Sequence, residues 1–323
     1  MILPNKTQVL ITGANGFVGR ALCARATTSC DLVIKAAMRS AQTLVTDVES
    51  VLIATIDGNT DWHDALQGIN VIVHLAARVH IMHDHANDPL QEFRKVNVDG
   101  TVNLAKQAAL AGVKRFVFIS SIKVNGESTP LGQPFQADDL PLPVDAYGLS
   151  KHEAENALKQ LASETGMEVV IIRPPLVYGV GVKANFYSMM RWLDKGIPLP
   201  LGAIHNQRSL VALDNLVDLI ITCIDHPAAA NQIFLVSDGE DLSTSELLRH
   251  TAIALDKSAK LLPIPVWLLQ TGANLLGKQA VVQRLCSSLQ LDITKTRQLL
   301  NWTPLVSVDD ALHKTAQYYR SSL

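Results

Sequence analysis

Tyr147 and Lys151 stand four residues apart in Tyr147-Gly148-Leu149-Ser150-Lys151, a spacing that places both on one face of a helix. An ammonium beside a phenol lowers the phenol's pKa, and a phenol so tuned can take and return a proton near neutral pH. The pair by itself is also a common solvated helix pair, so its weight depends on the rest of the chain. Far upstream, Thr12-Gly13-Ala14-Asn15-Gly16-Phe17-Val18-Gly19 follows a strand-like run and opens a helical one, the context of a phosphate-binding turn. Gly13 suits the tight turn, Gly16 the approach of backbone to a pyrophosphate, and Gly19 close packing of helix on strand. The glycines lie three apart, G-x-x-G-x-x-G rather than G-x-G-x-x-G.

Beyond that turn, the second strand ends Ala36-Ala37-Met38-Arg39-Ser40, where an NAD site would place an acid on the ribose 2′-hydroxyl. No acid is there. Arg39, with Ser40, offers a donor fork suited to a 2′-phosphate, which favours NADP(H) and leaves NAD(H) as the second cofactor. Asp57 has two readings, an acceptor for an adenine amino group or a turn cap. Leu75, Ala76 and Ala77 are small enough, at the end of the fourth strand, for a cofactor to lie against their backbone. A histidine run, His74, His80, His83 and His85 with Asp84, invites a metal. That reading fails because His74 ends a strand and the others sit in a loop without a closed ligand set; His80 could instead touch substrate.

These residues need a scaffold, and apolar runs alternating with helical patterns supply one: a parallel sheet covered on both faces. Strands are expected at Val9–Thr12, Leu32–Met38, Val51–Ile56, Val71–Leu75, Arg115–Ser120 and Val169–Arg173. A long amphipathic helix should run from Pro89 to Ala111. The stretch Gly126–Val144 holds four prolines and reads as a loop over the sheet's carboxyl edge, where ligands bind. After Pro174 the alternation fades into helices (Ala184–Lys195, Asp214–Asp225, Ser243–Leu255) and a strand at Gln232–Val236. The expected fold is therefore a Rossmann-type doubly wound α/β sheet over residues 1–174, with later returns of the chain to it. Residues 175–323 should form mainly a smaller mixed α/β substrate-binding domain.

Composition narrows the partners. A chain of 323 residues, 48% apolar, can bury a large core. Its net charge of −2 gives no electrostatic reason to expect nucleic acid. Cys23, Cys30, Cys223 and Cys286 are scattered, without zinc-ligand spacing, and read as thiols in a reducing compartment. The first strand begins too early for a signal peptide, so a cytoplasmic protein is expected. The apolar stretch Leu261–Leu285 is interrupted by Pro263, Pro265, Gln270, Asn274 and Lys278, which excludes a membrane span. It reads as a loop and a buried or interfacial helix, leaving peripheral membrane contact open.

Six motifs in order, TGANGFVG (12–19), HLAA (74–77), NVDGT (97–101), ISS (119–121), YGLSK (147–151) and RPPLVYG (173–179), make the chain resemble the extended short-chain dehydrogenase/reductases. Within that family it resembles the nucleotide-sugar epimerases, dehydratases and reductases. The resemblance implies that Tyr147 transfers the proton and that Lys151 binds the nicotinamide ribose and tunes the phenol. It implies that Ser121 hydrogen-bonds the reacting oxygen, that Asn97 supports the cofactor framework, and that Pro174 through Tyr178 walls the nicotinamide. Asn185 and Leu199-Pro200-Leu201 are similar to residues framing a nucleotide base, and Arg208 and Arg284 to arginines that bind a sugar-nucleotide diphosphate. Arg284 has a second reading as a helix cap. A homodimer through the helices after the fourth and fifth strands is also implied.

The chain departs from the family after the fifth strand, where Lys123 and Asn125 would add donors beside the reacting carbonyl. These, with Arg39, lead to the expected function: NADPH-dependent reduction of the 4-keto group of a UDP-4-keto-6-deoxy-N-acetylhexosamine in bacterial surface-polysaccharide synthesis. A UDP-sugar 4-epimerase that retains NAD is the alternative, and a non-catalytic NADP-binding regulator the second. A dehydratase fits less well, since Ile122 and Lys123 stand where dehydratases carry Asp-Glu. A lipid-linked sugar diphosphate also stays open as substrate, because of the apolar run near Val266–Leu276.

Overall fold

Strands buried on both faces need apolar residues on both, and the runs that satisfy this build one sheet. The computed structural model describes residues 6–28, 31–39, 48–79 and 88–322. Its strands are β1 (Thr7–Thr12), β2 (Leu32–Met38), β3 (Glu49–Leu52), β4 (Val71–His74), β5 (Arg115–Ile119), β6 (Glu168–Arg173), β7 (Leu176–Tyr178), β8 (Arg208–Ala212), β9 (Ile233–Leu235) and β10 (Asp241–Leu242). The large sheet runs β3-β2-β1-β4-β5-β6-β9, with every pairing parallel. Strand order therefore reverses between β1 and β4, which opens a crevice at their carboxyl ends. A second sheet, β10-β8-β7, is mixed. The architecture is the Rossmann-like α/β fold with a small mixed sheet.

The helices are α1 (Phe17–Ala26), α2 (His63–Leu66), α3 (Pro89–Arg94), α4 (Thr101–Leu110), α5 (Ala146–Thr165), α6 (Ala184–Asp194), α7 (Leu213–Asp225), α8 (Thr244–Ala254), α9 (Val266–Leu275), α10 (Gln279–Cys286), α11 (Thr294–Leu300) and α12 (Val308–Ser321). One face of the large sheet packs Val9 and Ile11 against Leu22 of α1 and Leu216 and Ile220 of α7. The other packs Leu10, Ile72 and Phe116 against Leu104 of α4 and Leu158 of α5. A third cluster, with Tyr178, Phe186, Leu248 and Leu312, joins the small sheet to α6, α8 and α12.

Three elements differ from the sequence expectation. The third strand ends at Leu52 rather than Ile56, because its partner β2 ends opposite it at Met38. The run expected at Gln232–Val236 is shorter, β9, and it extends the large sheet beside β6, a return of the chain to that sheet. The helix expected over Pro89–Ala111 contains a π turn at Lys95–Gly100 between α3 and α4. Gly100 presses so closely on Ile56 there that a Cβ would lie 2.9 Å from the Ile56 Cγ2. The proline-rich loop 126–144 is tied to the C-terminal half by bridges from Thr129 to Ser288 and from Phe135 to Leu291.

Candidate active site

The glycine turn joins β1 to α1. Gly13 has φ +68°, and a Cβ on it would lie 2.9 Å from the Ala76 nitrogen, so turn and β4 end touch backbone to backbone. At Gly19 a Cβ would meet the Gly13 carbonyl oxygen at 2.2 Å, which fixes glycine there. Gly16 is the extended residue before α1, and its N–H donates to the Gly13 carbonyl at 2.9 Å. No side chain caps α1, and no acid lies in its first turn. Phe17 and Val18 pack half-buried on the core, and the Asn15 carbonyl accepts from Arg20 Nε. The N–H groups opening α1 thus suit the pyrophosphate of a dinucleotide.

Beside the turn, His74 is fully buried, with Nδ1 2.8 Å from Thr12 Oγ1 and Nε2 3.0 Å from Thr101 Oγ1. Burial, reinforced by Lys151, pulls its pKa down to about 3, so it is a neutral link rather than an acid or base. His80, His83, Asp84 and His85 lie outside the described residues, as do Ser40 and Cys30. The π turn aims Asn97 inward: Oδ1 accepts from the Arg78 N–H at 2.8 Å, while Nδ2 donates to the Arg78 carbonyl and to Ser150 Oγ, each at 3.0 Å. Asn97 therefore clamps the backbone after Leu75-Ala76-Ala77 to the helix carrying Tyr147 and Lys151.

That helix, α5, starts at Asp145, whose Oδ1 accepts from the Gly148 N–H at 2.7 Å. Tyr147 packs edge-on against Phe93 with ring centroids 6.0 Å apart. Lys151 is buried, its Nζ 4.1 Å from the centroid of the Phe118 ring. Among the described residues it makes no hydrogen bond or ion pair, so its three N–H donors are unspent. Ser121, half-buried after β5, accepts from the Lys123 N–H at 3.2 Å.

The electrostatics correct one expectation. Burial, with Asp145 adding to it, pushes the Tyr147 phenol up to about 12 rather than down. Burial also pulls Lys151 down to about 7, against the attraction of Glu155. A desolvated amine gives up its charge before it can stabilise a phenolate, so the protein alone does not tune the phenol.

Beneath the site lies a network that motif spacing left out. Glu155 and Arg173, both fully buried, form a two-pronged pair, Nε to Oε1 at 2.9 Å and Nη2 to Oε2 at 2.5 Å. Ser120 Oγ donates to Glu155 Oε1 at 2.6 Å, and Arg173 Nη1 donates to Asn125 Oδ1 at 2.9 Å. Two signals pointed to it: Glu155 lies one further turn along the Lys151 face, and Arg173 follows the apolar run Val169–Ile172, where its charge demands a partner. Asn125, expected as a donor beside the substrate, is instead buried in this network, its Nδ2 spent on the Gln136 carbonyl. The Lys123 ammonium is held between Asp145 and Glu127.

The remaining candidates sit as follows. Asp57 caps its own turn, Oδ1 accepting from the Asn59 N–H at 2.9 Å, and that bond holds its pKa below the ordinary carboxylate value. Arg39 is exposed at the end of β2. Pro174 is buried, and its carbonyl accepts from the Ile122 N–H at 3.0 Å. Asn185 is exposed near the start of α6, while Leu201 is half-buried and its carbonyl accepts from Ser245 Oγ at 2.6 Å. Arg208 Nη1 donates to the Arg284 and Ser287 carbonyls at 3.0 Å, so Arg208 rather than Arg284 closes the end of α10. The Arg284 side chain is exposed.

A reversed-order parallel sheet, a glycine turn at its switch point, and a serine, tyrosine and lysine around the carboxyl ends of β5 and the start of α5 define an NAD(P)-dependent enzyme of the extended short-chain dehydrogenase/reductase type. The chain belongs to the NAD dependent epimerase/dehydratase family, whose model matches residues 9–237. It is 52% identical over 315 residues to a UDP-glucose 4-epimerase of Vibrio cholerae, covering 97% of this chain and 95% of that protein. It is 27% identical to the N-acetyl-alpha-D-glucosaminyl-diphospho-ditrans,octacis-undecaprenol 4-epimerase of Escherichia coli O157:H7, covering 96% of this chain and 95% of that one. Among solved structures, a UDP-glucuronic acid 4-epimerase from Bacillus cereus in complex with NAD superposes with a TM-score of 0.77. It is 20% identical, covering 98% and 99% of the two chains. The identity to the Vibrio cholerae epimerase overturns the expected 4-keto reductase. The features behind that expectation weaken physically too, since Asn125 is locked in the buried network and Lys123 in ion pairs.

Proposed function

We propose that the chain is a UDP-sugar 4-epimerase that interconverts UDP-glucose and UDP-galactose with bound NAD. The observation that carries the reading is the 52% identity, over nearly the whole chain, to a UDP-glucose 4-epimerase. The site is compatible with it. In this reading the turn at Gly13, Asn15, Gly16, Phe17, Val18 and Gly19 binds the cofactor's pyrophosphate, and Lys151 gives its unspent donors to a ribose. When bound, NAD would accept a hydride from the sugar's C4 and return it to the opposite face of the resulting 4-ketone, which inverts that carbon. Tyr147 holds the C4 hydroxyl proton while the carbon is oxidised and gives it back on reduction, and Ser121 steadies the same oxygen. A phenol near 12 is a poor base, so a positive charge brought in by the oxidised cofactor would have to lower it. Asn97 holds α5 against the end of β4, keeping phenol and cofactor wall in register.

On the sugar-nucleotide side, Arg208 and the exposed Arg284 would meet the diphosphate, with Leu201 and Asn185 beside the base. The same reading assigns residues 1–174, with β9, mainly to the cofactor and 175–323 mainly to the sugar nucleotide. It also keeps a homodimer through α4 and α5. Arg39, exposed and without an adjacent acid in the sequence, predicts that a 2′-phosphate is tolerated, so NADP should bind more weakly than NAD but measurably. The test is incubation of the purified chain with UDP-glucose, followed by NMR for UDP-galactose and identification of the cofactor released on denaturation. UDP-galactose with released NAD is the expected result. A protein loaded with NAD that leaves UDP-glucose unchanged would sink the reading.

A further inference from the structure

The apolar stretch after Leu261 folds as a hairpin of α9 and α10, and several of its large apolar residues face outward. Only Ala273 of α9 is buried, and none of α10. Trp267 is 63% exposed, Leu275 84% and Leu276 73%, and Leu268 and Val281 are exposed as well. Trp267, Leu268, Thr271 and Leu275 fall on one helical stripe. Even the hydroxyl on that stripe is satisfied internally, Thr271 Oγ1 donating to the Trp267 carbonyl at 2.9 Å. Contiguous exposed apolar area of this kind marks an interaction surface.

Charge identifies the partner. Residues 257–291 contain no Asp or Glu, in a chain whose net charge is −2. Lys260, Lys278 and Arg284 within this stretch are exposed and, among the described residues, have no ion-pair partner. We propose that the α9–α10 hairpin is a peripheral docking surface for an anionic lipid bilayer. Trp267, Leu268 and Leu275 enter the boundary between headgroups and acyl chains, and the exposed Lys260 and Lys278 meet lipid phosphates, Arg284 being left to the sugar-nucleotide diphosphate. No helix among the described residues is long and apolar enough to cross a membrane, so the contact is on the surface. A second copy of the chain fits less well, because a two-fold interface would set the same acid-free cations against themselves. The hairpin is firmly mounted: Asn206 Nδ2 donates to the Leu285 and Ser287 carbonyls at 3.2 and 2.7 Å, beside the Arg208 bonds to the same turn.

The test is co-sedimentation of the full chain with vesicles of phosphatidylcholine alone and of two parts phosphatidylcholine to one part phosphatidylglycerol, at low and high salt. The expected result is pelleting with the anionic vesicles only, reversed by salt. Leu275→Glu and Lys278→Glu, both at exposed positions, should each lower the bound fraction, together by roughly tenfold or more, with unchanged thermal midpoints. Three outcomes overturn the proposal: a wild-type chain that stays in the supernatant with both vesicles, variants that pellet as well as wild type, or a dimer in sedimentation velocity that Leu275→Glu splits. The last would assign the face to a second copy.

Discussion

Tyr147 and Lys151 were legible from their spacing, but their ionisation was not, because it depends on how much water the fold leaves around them. In the proposed mechanism Tyr147→Phe removes the proton carrier and little else, so turnover should fall roughly 10²- to 10⁴-fold with cofactor affinity almost unchanged. Steady-state rates beside a cofactor titration check this, and unaltered turnover would remove Tyr147 from the chemistry. Lys151→Met keeps the apolar stem and deletes the buried amine. The unfolded amine titrates near its ordinary 10.5 and the folded one near 7, so between these values the unfolded chain holds the extra proton and stability climbs with pH. Below about 7 both states are charged, and the folded chain bears the full cost of burying that charge. The Met variant should therefore be more stable than wild type below that pH, by on the order of 1–4 kcal/mol, while losing activity. The gain should fade as pH rises through the window, and thermal unfolding on either side of it measures the difference.

At the scale of elements, α5 carries Tyr147 and Lys151, and besides the Asn97 clamp on Ser150 it is held at three places that the sequence showed unequally. Its N-cap Asp145 and its C-cap Gly166, at φ 75°, are ordinary boundary signals. The fastening along its length is the buried Glu155–Arg173 pair, whose members the sequence marks one by one but does not join, because they come from different elements. The π turn was equally hidden, since the periodicity of 89–111 is that of one helix and the extra residue arises from the packing of Gly100 on Ile56 and the clamp made by Asn97. Glu155→Ala would strand a buried guanidinium and should destabilise the chain by about 3–5 kcal/mol. Replacing both partners, Glu155→Leu with Arg173→Met, should cost less than Glu155→Ala alone, because no charge is then left unpaired. Urea unfolding of the single and double variants decides it. A double variant worse than the single would mean that the pair stabilises outright.

For the whole molecule, the parallel doubly wound sheet was legible in the alternation of apolar runs and a later return of the chain to it was expected, but which run returns was not legible. The short run at 233–235 carries no mark of which sheet it joins, and its place beside β6 depends on long-range pairing. Just after it, Asp238 ties the two sheets together. Its Oδ1 accepts from the Ala212 N–H and from Asn215 Nδ2, each at 2.7 Å, and its Oδ2 accepts from the buried Tyr178 hydroxyl at 2.9 Å. Despite three donors, burial raises the carboxyl's pKa above its ordinary value. The folded chain thus keeps a proton at pH values where the unfolded chain has lost it, and this group's contribution to stability falls as pH rises through the carboxylate range. Asp238→Ala leaves three buried donors without an acceptor and should cost on the order of 2–4 kcal/mol. Asp238→Asn keeps an acceptor for Ala212 and Asn215, and the Tyr178 hydroxyl can turn to accept from the new amide. It should cost less than half as much and flatten the pH slope. Because the joint aligns β7 and β8 with the large sheet, Asp238→Ala should also raise KM for a UDP-sugar more than it lowers kcat. A fall in kcat with KM unchanged would show instead that the joint acts on the Tyr147 side of the crevice.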